Sequence, residues 1–120
     1  MARDHRKLKV FTLADDLVLE VYHRTQGFPV EERYGLQAQI RRAAVSVPTN
    51  IVEGCARRST RDYLHFLIIA LGSASELRYL LDLSGRLMIL DTKEQTDLDA
   101  RCGELLRGLQ GLIAAMERRP

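Results

Sequence analysis

An all-α fold, a four-helix bundle with antiparallel helices in up-down-up-down order, follows from three features of the chain. Apolar residues recur at spacings of three and four through four long segments. Short stretches carrying glycine, proline or capping residues separate those segments. The 120 residues are 46% hydrophobic and 28% charged, a globular balance that fits one domain over residues 1–120. The expected helices span about 10–27, 31–58, 60–89 and 92–117.

The first helix is read from Val10, Leu13, Leu17 and Val21, with Asp15, Asp16, Glu20 and Arg24 on the opposite side. Gly27-Phe28-Pro29 ends it, because glycine suits the position after a helix and the residue before a proline is pushed out of helical geometry. The second helix is expected to start near Val30 to Glu32, whose acids favour a helix N-terminus, and to close at Arg57 and Arg58. Ser59-Thr60-Arg61-Asp62 has capping-box spacing, and a third helix follows with Tyr63, Phe66, Leu67, Ala70, Ala74, Leu77, Leu81, Ser84 and Met88 repeating at three and four on one stripe. Asp91-Thr92-Lys93-Glu94 has the same spacing and opens the fourth helix, whose seam is Leu98, Cys102, Leu105, Leu109, Leu112 and Met116. Gly103, Gly108 and Gly111 each weaken that helix by roughly 1 kcal/mol relative to alanine, so its order has to come from packing.

The second helix is the unusual one, because Pro48 lies in its interior. A proline there removes the hydrogen bond to the carbonyl of Ala44 and costs about 3 kcal/mol. The core stripe is Leu36, Ile40, Ala43, Val47, Ile51 and Gly54, while Arg41, Val45, Pro48 and Val52 fall on an adjoining face. Two apolar faces on one helix point to an oligomer, with Arg41, Val45, Pro48 and Val52 as its candidate interface. Beside them Arg42, Ser46, Asn50 and Glu53 form a polar stripe. Ser46 or Asn50 is placed to satisfy carbonyls freed by the proline, and Glu53 stands four residues before Arg57, a favourable pairing.

Net charge is +2, but it is unevenly placed. Residues 1–9 carry +3 and residues 41–61 carry +4, whereas residues 10–40 and 62–116 carry −3 each. Arg3, Arg6, Lys7, Lys9, Arg41, Arg42, Arg57, Arg58 and Arg61 are therefore the candidate nucleic-acid-binding residues. No aromatic cluster is interleaved with them along the chain, which argues against base stacking. His5, His23 and His65 are scattered without ligand spacing, Cys55 and Cys102 stand alone, and no phosphate loop or nucleophile constellation is present. The expectation is a chain without catalytic residues, metal or cofactor, in a reducing cytoplasm. The longest apolar run, Phe66 to Leu71, is well short of the roughly 18 residues a membrane span needs, so no membrane partner is expected.

The central motif also carries a resemblance. Gly35, Leu36, Gln39 to Pro48, Asn50, Ile51, Glu53, Gly54 and Arg57 resemble the signature of the bacterial four helix bundle proteins, which include proteins encoded in intervening sequences of 23S ribosomal RNA genes. Phe28-Pro29 with Glu32, Tyr34 and Gly35, and Ala70 to Ser73 with Glu76 and Leu77, extend it over nearly the whole chain. The resemblance implies a left-handed bundle and a ring-like homopentamer acting as a noncatalytic scaffold or protein-interaction module. The chain is also similar to accessory proteins of diversity-generating retroelements, whose basic pentamers bind nucleic acid and a reverse transcriptase. Its net charge of +2 is the point of departure from them.

Overall fold

The computed structural model describes residues 3–119. Four helices carry most of them: α1 (Lys9–Arg24), α2 (Leu36–Cys55), α3 (Thr60–Arg86) and α4 (Thr92–Glu117), with short 3₁₀ turns at His5–Lys7 and Val30–Glu32. Each helix packs against its chain neighbours, α1 closes the ring against α4, and the backbones of the two diagonal pairs stay farther apart. The result is a four-helix bundle of 48 × 22 × 19 Å. Contacts pair the end of one helix with the start of the next. Gly54 lies against Tyr63 and Gly85 lies against Gln95, while Arg24 at the end of α1 is ion-paired with Asp97 near the start of α4.

The core is built from the helical stripes. Val21, Ile40, Ile51, Leu67, Ala70, Ala74, Leu77, Leu81, Leu98, Leu105 and Leu109 are completely buried. Burying a valine, leucine or isoleucine side chain is worth about 1.5–3 kcal/mol. Helix α3 is apolar and long enough to cross a membrane by length and composition alone, as the core helix of a bundle also is. Here its apolar stripe lies in the bundle core.

The helix ends follow from specific partners. Ser59 accepts a hydrogen bond from the backbone N–H of Asp62 at 3.1 Å, and Asp91 accepts one from Glu94 at 2.9 Å, so both expected caps form at the starts of α3 and α4. Helix α1 stops at Arg24, three residues earlier than its sequence pattern suggests. The buried Thr25 hydroxyl donates to the Val21 carbonyl at 2.8 Å, and the Thr25 carbonyl accepts from Gln37 at 3.0 Å, which turns the chain before Gly27. Helix α2 starts at Leu36 rather than near Val30 to Glu32, because Pro29 opens a separate 3₁₀ turn and the Glu32 carboxylate reaches forward to cap the Leu36 N–H at 3.0 Å. It stops at Cys55, leaving Arg57 and Arg58 in the turn, and the Cys55 carbonyl accepts from the Arg3 N–H at 3.3 Å.

Helix α3 ends in a Schellman motif. Ile89 N–H bonds the Ser84 carbonyl at 3.0 Å and Met88 N–H bonds the Gly85 carbonyl at 3.0 Å. Met88 occupies the position that glycine usually fills, with φ 62°. A left-handed conformation costs an ordinary side chain about 1 kcal/mol. Met88→Gly is therefore expected to stabilise the fold by about 0.5–1 kcal/mol, read as a higher urea midpoint at unchanged m-value.

Candidate assembly and polyanion-binding surfaces

Helix α2 presents different chemistry on each side. Toward α1, the Arg41 guanidinium donates to the Thr25 hydroxyl at 2.9 Å and to the Tyr22 carbonyl at 3.2 Å, and stacks over the Tyr22 ring at 4.5 Å. Pro48 is buried within the chain. Toward α3, the Ser46 and Ser73 hydroxyls share a hydrogen bond of 2.8 Å. Asn50 donates to the Ser46 carbonyl at 2.8 Å and its hydroxyl at 3.0 Å, while Thr49 donates to the Val45 carbonyl at 2.7 Å. These bonds reach the Val45 and Ser46 carbonyls beside the Ala44 carbonyl whose N–H partner Pro48 removes, and none of them goes to Ala44 itself, where Ser46 or Asn50 was expected to act. Glu53 pairs with Arg57 at 3.2 Å, and Arg57 lies over the Phe66 ring at 4.7 Å.

Between these two sides runs the outward face of α2: Ala38, Arg42, Val45, Thr49, Val52 and Ala56. Val45 and Val52 are 39% and 38% exposed, whereas Val47 and Ile51 on the core side are 1% and 0%. Of the four residues assigned to an interface, Val45 and Val52 thus stand on the surface, and Arg41 and Pro48 are engaged inside the chain.

The fold gathers basic residues that are remote in sequence. Arg3 is held against the α2–α3 turn by the Cys55 carbonyl and by the Tyr63 ring, 4.1 Å from its guanidinium. Arg6 pairs with Asp4 at 3.0 Å, and Arg61 and Arg119 line one groove between α3 and α4. Residues 3–9, 53–62 and 117–119 meet at this end of the bundle with nine basic and four acidic groups. Arg118 and Arg119 belong to this set although the sequence reading did not include them; their signal was the Arg-Arg pair after the last helical turn. The opposite end, residues 20–33 and 82–97, carries seven acidic and four basic groups. The molecule is electrically polar along its long axis.

Arg42 lies away from the basic end. With Arg33 and Arg41 it lines an open groove of about 740 Å³ at the α1–α2 junction, together with Tyr22, Phe28 and Tyr34. Tyr34 is 87% exposed. This corrects the reading that no aromatic cluster accompanies the arginines: α1, the connecting loop and α2 each supply part of it. The two cysteines are buried, and burial pushes the Cys102 thiol up to about 12 and raises that of Cys55, so neither is a thiolate at neutral pH. Burial likewise pushes the Tyr63 phenol up to about 12. Among the described residues, no group of three or more histidines, cysteines and acids is placed to hold a metal ion.

Carboxylates tie the helices together away from these surfaces. Arg78 binds Asp99 through two bonds of 2.8 and 3.1 Å, and Asp97 is shared by Arg101 and Arg24. Hydrogen bonds from Arg78 hold the Asp99 carboxyl below its ordinary value, and bonds from Arg101 and Arg24 do the same for Asp97. Groups with lowered folded-state values stabilise the fold above the unfolded value and lose that contribution as pH falls through the folded one. Urea midpoints are expected to decline below about pH 4, and Asp99→Asn to flatten that decline.

With the surfaces established, the sequence also compares with known proteins. The family model described as 23S rRNA-intervening sequence protein matches residues 6–111. The chain belongs to the 23S rRNA-intervening sequence protein family. A crystal structure of a protein of unknown function from the S23 ribosomal protein family of Bacteroides thetaiotaomicron superposes with a TM-score of 0.78 at 22% identity, covering 87% of this chain and 97% of that one. At that identity the likeness concerns the fold. No curated protein matches the chain. For this member of the 23S rRNA-intervening sequence protein family, the candidate surfaces are therefore the outward face of α2, the basic end and the aromatic-arginine groove.

Proposed function

We propose that the protein is a noncatalytic, homo-oligomeric helical module that acts as a scaffold for a protein partner, assembled through the outward face of α2. The observation that carries this reading is the partial exposure of Val45 and Val52 on a helix that already buries a full core stripe. Apolar side chains repeated along one surface helix face gain by burial between copies. Five copies in a ring is the order that the resemblance to the bacterial four helix bundle proteins implies, and the reducing cytoplasm is the expected setting. Size exclusion with light scattering tests the assembly: the wild-type chain elutes as an oligomer and the Val45→Asp/Val52→Asp variant as a folded monomer. A wild-type species of 13.7 kDa at every concentration overturns the reading.

A second reading is favoured by the convergence of nine basic groups at one end. In it the protein is an RNA- or DNA-binding accessory protein, with a reverse transcriptase as its protein partner. A ring of subunits multiplies the patch, and phosphate contacts then give strong salt dependence. Mixed RNA and DNA probes titrated from low to physiological salt decide it. Arg58→Glu with Arg61→Glu weakens binding for every probe alike, and an absence of affinity even at low salt removes the reading.

A further inference from the structure

The α3–α4 connection shows an apolar knob with no role in the bundle. Leu87 and Met88 at its tip are 55% and 91% exposed. Met88 is there at a conformational cost, in the left-handed position where glycine would be relaxed. A strained, flexible and fully presented methionine is suited to filling an irregular apolar depression on another surface.

Such a depression lies at the far end of the same helix pair. Leu64, Ile68 and Met116 floor an open groove of about 540 Å³ between the start of α3 and the end of α4, with Arg61, Arg119 and the single acid Glu117 at its rim. Ile68 is 52% exposed. Helix α3 has 27 residues, about 40 Å, so knob and groove stand at opposite ends of one side of the bundle. Their surroundings have opposite charge: the knob sits in the end with seven acids against four bases, the groove in the end with nine bases against four acids.

We propose that the occupant of this groove is a second copy of the chain, whose Leu87–Met88 tip enters it head to tail along the bundle axis. Because knob and groove are different surfaces of one molecule on the same side, the contact is heterologous and repeats from copy to copy. It is separate from the lateral assembly through α2 and does not depend on it. Two side chains and a polar rim make a small contact, so association is weak, needs the apolar tip in the groove, and is strengthened at low salt by attraction between the unlike ends.

Sedimentation velocity of the full-length chain tests this across concentration and salt. At low salt the wild type shows species growing with concentration in multiples of a basal unit, and high salt returns the basal unit alone. Met88→Asp and Ile68→Asp each remain at the basal unit, with association weakened about tenfold or more. Mixing those two variants restores one joint, because one retains an intact groove and the other an intact knob, and gives a species of twice the basal size. Met88→Gly separates packing from folding: it raises the urea midpoint while still losing association. A wild type that stays at the basal unit, single variants that associate normally, or a mixture that does not pair overturns the proposal.

Discussion

Replacing Ile51 with aspartate is expected to unfold the bundle, whereas the same change one residue later, at Val52, leaves it folded. Ile51 has no exposed surface and Val52 is 38% exposed, since successive helical residues point about 100° apart. Ile51→Asp forfeits roughly 2–3 kcal/mol of apolar burial. It also forces a carboxyl into a site with no partner, at a further cost of several kcal/mol. The sum reaches the 5–15 kcal/mol that holds a domain of this size together. Far-UV circular dichroism should show helix lost at Ile51→Asp and retained at Val52→Asp. Light scattering should show that Val52→Asp weakens assembly instead. Equal loss of helix in both variants would mean that α2 has one core face and no free one.

Glycine-to-alanine substitution is expected to have opposite signs at two helical positions. At Gly54 an added Cβ would stand 3.0 Å from the Phe66 Cβ and 3.3 Å from the Tyr63 carbonyl oxygen, so α2 and α3 have to move apart. That overpacking costs about 1–3 kcal/mol and outweighs the helix-propensity gain of roughly 1 kcal/mol. At Gly111 an added Cβ meets nothing within 4 Å, so the propensity gain appears undiminished. Urea titration should place the midpoints in the rising order Gly54→Ala, wild type, Gly111→Ala. Gly54→Leu, which drives more atoms into the same contact, should lie lower still, and a stabilised Gly54→Ala would show that the α2–α3 approach is looser than these distances.

Gly108 shows why helix α4 tolerates its glycines. A Cβ there would approach Val10 to 2.9 Å, so the residue that weakens α4 locally is what lets α1 pack closely on it. From the sequence alone Gly103, Gly108 and Gly111 carry the same local cost; only the neighbouring helix distinguishes them. Pro48 shows the same division. Its cost is local and readable, but the hydroxyl of Ser73 that joins the network around it comes from α3.

The four helices, most of their core stripes and two of their caps are legible in the sequence, because a helix records its buried face as a local period. The exceptions are at helix ends, where Met88 of the expected α3 stripe is 91% exposed and Ile113 is buried beside a half-buried Leu112. Ile40, Val47 and Ile51 were assigned to the core by spacing alone and are buried. The same period separated Val45 and Val52 from the core residues beside them. Where α1 stops depends on packing, since the Thr25 carbonyl is bound by Gln37 of α2, whereas the start of α2 is set locally by the Pro29 turn and the Glu32 carboxylate on the Leu36 N–H. Only the tertiary structure showed that Arg41 is committed to Thr25 and Tyr22, that Tyr34 joins the arginines of α2, and that Arg119 joins Arg61 across the bundle. Those groupings arise from residues far apart in the chain, and periodicity within one helix holds no information about which distant side chain the packed bundle sets beside it.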